Sequence, residues 1–380
     1  MKEISYEEIK TLTEDTYVFI DIRDEGLTEY GMIPGAVRIF EDDLENSNEL
    51  SGIPLDKKLI FYCEIGRKSR ELDDTIEMLK DRDCYSLAGG YIGYVRSGIR
   101  DEKDIEEKRQ RVEESIRKKF HKQLFTPFAK ACKTYKLIEE GDRIAVCISG
   151  GKDSMLMAKL FQEIKRHRQV EFDLTFLVMD PGYNKDNREL IESNAKALGI
   201  PITIFESTIF DTVDTIEKNP CYLCARMRRG YLYSKAKELG CNKIALGHHY
   251  DDVIETILMG MLYGGQIQTM MPKLHSTNFE GMELIRPLYL VRERDIRLWR
   301  DYNDLHFLQC ACHFTDTCTS CNIDGTTSSK RLEVKKLIAN LKKINPFVEA
   351  NIFKSVENVN LDTVIEYKQG GVRHHFLDDY

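Results

Sequence analysis

AVCISGGKDSML, residues 145–156, is the stretch from which the fold can be inferred. Small and β-branched apolar residues at 145–148 are followed by a polar turn at 149–154, and apolar residues return at Met155 and Leu156. This order predicts a buried strand, a glycine turn and a helix. Backbone N–H groups and the positive end of such a helix face the turn, and glycine lets an anion come close. The stretch therefore predicts a phosphate site.

The same alternation continues along the chain. Strand-like runs follow at 173–180 (DLTFLVMD), 202–205 (ITIF) and 243–247 (KIALG), separated by helical stretches. Alternation of this kind predicts an α/β fold with a doubly wound parallel sheet that has helices on both faces. A smaller α/β unit precedes it, with strand-like runs at 16–20 and 58–62 and a helical pattern at 69–79.

Four segments are expected from these patterns. They are an α/β domain at 1–100, a charged, solvated helical linker at 101–122, the main α/β domain at 123–330, and a C-terminal helix and tail at 331–380. The C-terminal helix itself is expected at 330–342, one residue across that boundary. The length of 380 residues agrees with more than one domain, because single cores stop growing at roughly 250 to 300 residues.

Composition excludes several classes of protein. The N-terminus lacks the apolar core of a signal peptide, and the longest apolar stretch, near 257–263, is too short to cross a bilayer, so we expect a cytoplasmic protein without membrane association. The net charge of −8 argues against nonspecific coating of nucleic acid, although a local basic patch remains compatible with RNA. Eleven cysteines in such a chain favour catalysis or metal binding over disulfides.

The glycine turn does not match the Walker pattern GxxxxGK[ST]. SGGKDS after a buried strand instead resembles the PP-loop of the ATP pyrophosphatases, enzymes of adenine nucleotide α-hydrolase-like fold that cleave ATP between its α and β phosphates and adenylate a substrate oxygen. The resemblance implies that Mg²⁺-ATP binds here, with Lys152 and Asp153 in catalytic roles. The pyrophosphate contacts implied are Ser149, Gly150, Gly151, Lys152, Asp153 and Ser154. A plain turn with Ser149 as helix cap is the structural alternative.

A second stretch, GHHYDDVIETILMGMLYGG at 247–265, follows the strand-like run KIAL. His248 and His249 are adjacent and point in different directions, so a shared metal ion is not expected. Asp251 and Asp252 either cap the next helix or have a function. Together with the turn, the stretch resembles the second ATP-site motif of the tRNA 2-thiocytidine synthetase branch, which implies nucleotide contacts from Gly247, His248, Asp251 and Asp252.

The cysteines bear on the same branch. Cys221 and Cys224 in NPCYLCARMRRG are three residues apart at the start of a predicted helix, so both thiols lie on one face. The resemblance extends through RPLYLVRERDI (286–296) to Cys310, and it implies a four-iron four-sulfur cluster on Cys221, Cys224 and Cys310 with one iron open for sulfide. Cys312 is an alternative third ligand. A second CxxC at Cys318 and Cys321 keeps a structural zinc on four cysteines open.

Basic side chains accompany these motifs. Arg226, Arg228 and Arg229 follow the first CxxC, and a second group recurs at helical spacing with Trp299. The second group is Arg292, Arg294, Arg297 and Arg300. Either these charges form a solvated face, or they contact an RNA backbone. The contact with an RNA backbone would extend to four further basic residues, Lys118, Lys119, His121 and Lys122.

The front segment has its own motif. FIDIRDEGLTEYGMIPGAVRI (19–39), FYCEIGRKS (61–69) and LAGGYIGY (87–94) resemble a single rhodanese domain. Backbone N–H groups, Arg67 and Lys68 favour a thiolate at Cys63, which the resemblance implies is a nucleophile that carries a persulfide. A phosphatase needs arginine where Ser69 stands, and Glu64 replaces the basic residue of many rhodaneses. A partner cysteine desulfurase or other persulfide donor is therefore expected rather than thiosulfate.

The combined resemblance implies an ATP-dependent tRNA sulfurtransferase that releases AMP and pyrophosphate. It adenylates the C2 oxygen of a nucleobase, expected to be an anticodon-loop cytidine that becomes 2-thiocytidine, and replaces it with sulfur from the Cys63 persulfide and the cluster. A PP-loop enzyme with structural zinc that thiolates or amidates a small molecule, or another tRNA base, is the alternative. A zinc-stapled adapter without activity is the nonenzymatic alternative. A homodimer is left open.

Overall fold

The computed structural model describes residues 1–23, 28, 31–40, 43–44, 50, 52–72, 79, 82–97, 102–183, 185–207, 220–308 and 330–378. The side chains of residues 96–97, 102–104 and 220–226 are not among those described. The chain divides into two compact units, Met1–His249 with Pro272–Asp324 and Tyr250–Met271 with Gly325–Tyr380. The boundaries of these two units differ from those of the four segments expected from the sequence, and the four segments stay a prediction.

A five-stranded parallel sheet begins the larger unit, and it contains the strands predicted at 16–20 and 58–62. Its strands are β1 (Lys2–Ile4), β2 (Tyr17–Asp21), β3 (Val37–Arg38), β4 (Lys58–Tyr62) and β5 (Cys84–Leu87), in the order β1-β5-β4-β2-β3. The helices described with it are α1 (Tyr6–Ile9), α2 (Arg67–Glu71) and α3 (Gly90–Ser97). Ile20, Leu59 and Phe61 are completely buried in this sheet, as expected for parallel strands.

The helix predicted over 69–79 begins earlier and ends sooner. α2 begins at Arg67, directly after Gly66, which adopts a left-handed backbone with φ of 82°. The helix ends at Glu71, because Leu72 takes up φ −54° and ψ 125°, outside the helical region. Residues 73–78 of the predicted helix lie outside the described residues.

A six-stranded sheet forms the rest of the larger unit. Its strands are β6 (Arg143–Ile148), β7 (Asp173–Asp180), β8 (Ile202–Glu206), β9 (Lys243–Ala245), β10 (Lys273–His275) and β11 (Glu283–Ile285), in the order β10-β11-β9-β6-β7-β8. All neighbours are parallel except β10 and β11. The α/β class and the four predicted strands, β6 to β9, are confirmed. The antiparallel edge is not predicted by the sequence.

Nine more helices complete the described residues. They are α4 (Glu102–Arg117), α5 (Thr126–Thr134), α6 (Lys152–Arg166), α7 (Lys185–Leu198), α8 (Pro220–Glu238), α9 (Tyr250–Gly264), α10 (Glu293–Tyr302), α11 (Lys330–Ile344) and α12 (Val348–Ser355). A π-helical turn, His121–Phe125, separates α4 from α5.

The sheet order reverses at β6. β7 and β8 follow on one side of β6, whereas β9 lies on its other side. In open α/β sheets, ligands bind in the crevice outside the carboxyl ends of the strands at such a reversal. The residues that follow β6 and β9 therefore meet at the position where this architecture binds ligands.

The charged segment forms a helix, but it is not fully solvated. α4 buries Val112, Ser115 and Ile116, which lie three and four residues apart on one face, and it packs against α7. Asn303 donates to the Ser115 hydroxyl at 3.0 Å. The apolar residues are few, yet they share one face, so α4 is part of the larger unit's packing rather than a free linker.

The smaller unit consists of α9, α11, α12 and a hairpin of β12 (Glu366–Gln369) and β13 (Val372–His375). The helix predicted at 330–342 is confirmed as α11. Tyr250 stacks on Phe353 with ring centroids 4.6 Å apart, and Val334 and Ile338 are buried. Among the helices of the described ranges, none combines the length and the apolar character that a bilayer crossing requires.

Candidate nucleotide and sulfur sites

Residues 149–154, which we call the phosphate turn, connect β6 to α6 at the reversal point of the sheet. Gly150 has φ of 84°, and a Cβ atom there would lie 2.7 Å from Cγ1 of Ile191. Both the backbone angle and the contact therefore require glycine. α6 begins at Lys152 with Gly151 as its N-cap, so the first N–H groups of a fifteen-residue helix face the crevice. This geometry suits a phosphate group.

The two serines of the phosphate turn hold it closed. The Ser149 N–H donates to Oγ of Ser154 at 3.1 Å, and this hydroxyl donates to the Gly151 carbonyl at 3.0 Å. The two hydroxyls are 3.2 Å apart. Ser154 is buried, and its hydrogen bonds fix the backbone of the turn. Its contact with pyrophosphate stays a prediction.

Lys152 and Asp153 form an ion pair at the start of α6. The Lys152 ammonium lies 3.1 Å from Oδ2 of Asp153 and 3.3 Å from Oε1 of Glu293. Arg297 holds the same oxygen of Glu293 at 3.0 Å. Lys152 is only 6% exposed, so its charge is fixed beside the turn. The arginines of α10 are candidates from the sequence, whereas Glu293 is not predicted from it.

Gly247 and His249 bring the segment after β9 against the phosphate turn. A Cβ atom on Gly247 would lie 3.2 Å from the Ser154 nitrogen and 3.3 Å from the Asp153 carbonyl carbon, so the backbones pass each other closely. Nε2 of the buried His249 is 3.9 Å from Oδ1 of Asp153. The resemblance implies a contact from His248, which is half-buried, but the residue beside Asp153 is His249.

Asp153 offers an oxygen for a cation. Its Oδ1 atom is buried and accepts no hydrogen bond within the part of the chain that the structure describes. A carboxylate oxygen of this kind, next to a helix N-terminus that suits phosphate, is the donor that Mg²⁺ prefers. The residues of the turn therefore fit Mg²⁺-ATP.

Asp251 and Asp252 open α9, which belongs to the smaller unit. Oδ1 of Asp252 lies 2.9 Å from Nη1 of Arg331. This ion pair, made within the smaller unit, supports the structural interpretation of Asp252. The nucleotide contacts expected from Gly247, His248 and both aspartates stay a prediction.

Residues 63–66, which we call the Cys63 loop, follow β4 in the front sheet. Cys63 is a free, buried cysteine. The Tyr91 N–H donates to its carbonyl at 2.9 Å, and the Ile92 N–H donates to the Glu64 carbonyl at 3.0 Å. The first residues of α3 therefore hold the loop in place.

A hydroxyl group faces the Cys63 sulfur. Oγ of Ser69 lies 3.7 Å from Sγ of Cys63 and 2.9 Å from Oγ of Ser86. Ser69 is the position where a phosphatase would need arginine. A small hydroxyl donor at this position stabilises a sulfur anion without filling the loop.

An ion-pair network lies behind the Cys63 loop. Arg23 binds Asp21 through Nε at 2.9 Å and Nη2 at 2.7 Å, and it binds Glu64 through Nη1 at 2.9 Å. Tyr62 donates to Asp21 at 2.7 Å, and burial together with Asp21 raises the pKa of Tyr62 well above its usual range. Asp21 and Arg23 thus form a buried polar pair, and Glu64 joins it.

The predicted metal ligands are only partly within the described residues. α8 begins at Pro220, which places Cys221 and Cys224 in its first turns as predicted. Their side chains, and all of Cys310, Cys312, Cys318 and Cys321, lie outside the description. The described side chains contain no group of three or more histidine, cysteine or acidic residues that could hold a metal ion. The choice between cluster and zinc therefore stays a prediction.

The arginines of α10 do not form one exposed face. Arg294 is exposed, but Arg300 is buried and ion-paired with Asp301 at 2.6 Å. Trp299 is completely buried and stacks on Phe307. Trp299 and Arg300 therefore belong to the buried face of α10, whereas Arg294 lies on its surface.

Comparison with known proteins agrees with this geometry. Residues 114–313 match the PP-loop domain family, and residues 5–97 match the rhodanese-like domain family. A tRNA-cytidine(32) 2-sulfurtransferase of Geobacter sulfurreducens is 34% identical over 243 residues, which are 63% of this chain and 90% of that protein. The enzyme of the same name from Aliivibrio fischeri is 36% identical over 245 residues, 63% of this chain and 76% of that protein.

One solved structure similar to this chain is a U34-tRNA thiolase, NcsA, from Methanococcus maripaludis with its [4Fe-4S] cluster. It is 24% identical, the match covers 61% of this chain and 76% of that one, and the TM-score is 0.48. The PP-loop match alone spans more than half of the present chain. The chain therefore belongs to the PP-loop family, in its tRNA 2-thiocytidine synthetase-like branch, and carries a rhodanese-like domain in front.

Proposed function

We propose that this protein is an ATP-dependent tRNA sulfurtransferase that converts a cytidine of the anticodon loop to 2-thiocytidine. The observation that carries the proposal is the phosphate turn at the sheet reversal, in a chain that spans 90% of a tRNA-cytidine(32) 2-sulfurtransferase. The Cys63 loop in the same compact unit supports a sulfur-carrying step.

ATP activates the base in the first half of the reaction. The C2 oxygen of cytidine attacks the α-phosphate, the bond to the β-phosphate breaks, and pyrophosphate leaves. The phosphate turn and the Lys152 ammonium meet the charge that develops on the phosphates. Asp153 would hold Mg²⁺ through Oδ1, which accepts no hydrogen bond within the described residues, and the bound ion would offset the negative charge of the phosphates. The product is a base whose C2 oxygen is part of a good leaving group, AMP.

Sulfur replaces that oxygen in the second half. The terminal sulfur of a Cys63 persulfide attacks C2, AMP leaves, and a disulfide joins Cys63 to the base. A small-molecule thiol then attacks the Cys63 sulfur, which releases 2-thiocytidine and leaves a mixed disulfide. A second thiol reduces this disulfide, so two thiols supply the two electrons that convert persulfide sulfur to the thione. Ser69 stabilises the sulfur anion of Cys63 between turnovers.

Three cysteine thiolates suit an iron-sulfur cluster with an open iron. Cys221 and Cys224 open α8 three residues apart, and with Cys310 they would hold it. When bound, the cluster supplies a site that accepts sulfide. Zinc on the two CxxC pairs is the alternative that metal analysis of anaerobically purified protein distinguishes.

The partners follow from the same chemistry. tRNA is the acceptor, and exposed cations such as Arg294, 68% exposed on α10, are available for its backbone. A cysteine desulfurase or another persulfide donor loads Cys63. Glu64 supports this choice over thiosulfate, because its carboxylate lies in the Cys63 loop and is ion-paired with Arg23.

The test is mass spectrometry of tRNA nucleosides after incubation of anaerobically prepared protein with ATP, Mg²⁺, a persulfide source and unmodified tRNA. We expect 2-thiocytidine with wild-type protein, and at least about a hundredfold less with Asp153→Asn or Cys63→Ala. Cys84→Ala is the matched control, because Cys84 begins β5 of the same sheet and pairs with Leu59, four residues before Cys63. Product with a small-molecule acceptor instead of tRNA would contradict the proposal.

A further inference from the structure

Residues 305–308, which follow α10, contact the phosphate turn and also Tyr91, the residue of α3 that holds the Cys63 loop. On one side, Oη of Tyr91 lies 2.7 Å from Nδ1 of His306, and the Tyr91 N–H binds the Cys63 carbonyl. On the other side, the Leu308 carbonyl oxygen and side chain lie against the turn, 3.4 Å from a Cβ placed on Gly151 and 3.2 Å from one placed on Gly150. One residue, Phe307, therefore separates the contact to Tyr91 from the contact to the phosphate turn.

The segment is fixed by its neighbours. The Asn194 side chain of α7 donates to the His306 carbonyl at 2.8 Å, and Lys108 of α4 donates to the Asp304 carbonyl at 2.8 Å. Leu305, Phe307 and Leu308 are buried. Because two helices and a buried apolar row hold it, the segment cannot move freely relative to either site.

The His306 ring is held on both nitrogens. Nε2 lies 3.1 Å from Oδ1 of Asp304, opposite the Tyr91 hydroxyl on Nδ1. An imidazole with its proton on Nε2 donates a hydrogen bond to Asp304 and accepts a hydrogen bond from the Tyr91 hydroxyl at Nδ1. Burial raises the pKa of Tyr91 above its usual range, so this hydroxyl keeps the proton that it donates.

The approach of the two domains at this point is close. A Cβ atom on Gly31 would lie 2.5 Å from Oη of Tyr91 and 3.3 Å from Nδ1 of His306. The Gly31 carbonyl accepts a hydrogen bond from Arg23 at 2.6 Å, and the Arg23 guanidinium lies 3.8 Å from the Tyr91 ring centroid. The ion-pair network of Arg23 is thus connected to His306 through the ring and the hydroxyl of Tyr91.

We propose that the Tyr91–His306 contact positions the Cys63 loop for delivery of its sulfur to the nucleotide site of the same chain. His306 and Tyr91 are positioning residues, because neither touches the reacting atoms. The inference rests on the proposed function, and the step it serves is the attack of the persulfide sulfur on C2 with departure of AMP, followed by reduction by two thiols as given above. The sequence gives no signal for it, since the two residues are 215 positions apart.

The first experiment separates sulfur delivery from nucleotide chemistry. Protein loaded with ³⁵S on Cys63 is mixed with ATP and tRNA in a single turnover, and a parallel reaction supplies free sulfide in place of the persulfide. For Tyr91→Phe and His306→Phe, we expect transfer of ³⁵S to fall about tenfold or more, because small misplacements of reacting groups are costly. Sulfide-driven thiolation should stay within about twofold of wild type.

Two matched variants control for stability. His306→Asn keeps an amide near the position of Nδ1, so it should retain more ³⁵S transfer than His306→Phe. Tyr85→Phe removes a hydroxyl from β5 that lies 3.4 Å from Lys58 and should change neither reaction. Equal losses in both reactions for Tyr91→Phe, or no loss in either, would overturn the inference. Wild-type protein that is inactive with both donors would instead refute the proposed function.

The second experiment tests delivery within one chain. Cys63→Ala retains the nucleotide site, and Asp153→Asn retains the sulfur carrier. An equimolar mixture should give no more ³⁵S-labelled tRNA than the sum of the two variants measured alone. Recovery of activity in the mixture towards half the wild-type rate would show delivery between chains and would contradict the proposal.

Discussion

At the scale of single residues, glycines set how closely the segment after β9 approaches the phosphate turn. A Cβ atom on Gly247 would lie 3.2 Å from the Ser154 nitrogen and 3.3 Å from the Asp153 carbonyl carbon, closer than ordinary contacts. A methyl group there therefore displaces the first turn of α6, or the segment that carries His249, by a few tenths of an ångström. Either displacement alters the groups expected to bind phosphate, while the rest of the sheet stays intact.

We predict that Gly247→Ala raises the KM for ATP about tenfold or more and leaves the fold intact. The measurement is ATP-dependent AMP formation at saturating tRNA, with circular dichroism to check folding. Gly230→Ala is the control, because a Cβ there meets nothing within 4 Å and alanine favours a helix by about 1 kcal/mol. An unchanged KM for Gly247→Ala would show that the two segments do not form one nucleotide site.

Ser69 permits a test of the sulfur site. Its hydroxyl donates to Sγ of Cys63 at 3.7 Å, so Ser69→Ala removes a hydrogen bond to the sulfur that carries the persulfide in the proposed reaction. We predict that the rate of persulfide loading on Cys63 falls about threefold or more, the usual effect of losing one hydrogen bond. Ser193→Ala, which removes a bond to the Leu190 carbonyl within α7, should leave the rate unchanged. A loading rate for Ser69→Ala equal to that of wild type would contradict this role.

At the scale of elements, strand β9 starts at a buried ion cluster. Lys243 is 2% exposed, and its ammonium lies 2.6 Å from Asp142, 3.1 Å from Glu139 and 3.3 Å from Glu283. Lys243 and Lys273 together lower the pKa of Glu139 to about 2. The cluster fixes the end of the sheet opposite the phosphate turn.

We predict that Lys243→Ala lowers the free energy of unfolding by about 3 kcal/mol or more, because it leaves the buried Asp142 carboxylate unpaired. Lys243→Met together with Asp142→Asn removes both charges and should cost less. Lys273→Met is the control, since Lys273 is more exposed and its loss should cost about 1 kcal/mol or less. Urea denaturation at pH 7 measures all three. A cost for Lys243→Ala no greater than that of Lys273→Met would contradict the buried role.

The elements also show which features the sequence could predict. The phosphate turn and strands β6 to β9 were predictable, because each depends on a contiguous run of residues. Glu293 and His306 were not, since they reach the sites from elements distant in the sequence and no local pattern marks them. His249 lies within a recognised motif, but the nucleotide contact was expected from its neighbour His248. The buried face of α4 was missed because Val112 and Ile116 are sparse among charged residues.

At the scale of the whole molecule, the larger unit contains both halves of the proposed reaction. The front sheet carries the Cys63 loop, and the second sheet carries the phosphate turn. Residues 305–308 contact the turn and also Tyr91, which binds the Cys63 carbonyl. In the proposed reaction, one chain activates the base and supplies its sulfur. The adenylated base is the intermediate on which both halves of that proposal depend.

The origin of the oxygen in AMP tests this intermediate most directly. tRNA with ¹⁸O at C2 of the acceptor cytidine is thiolated in ordinary water, and the AMP is analysed by mass spectrometry. Attack of the C2 oxygen on the α-phosphate predicts that every AMP formed with 2-thiocytidine carries one ¹⁸O atom in its phosphate. Unlabelled AMP beside fully thiolated tRNA would show that the oxygen leaves by another route and would contradict the account.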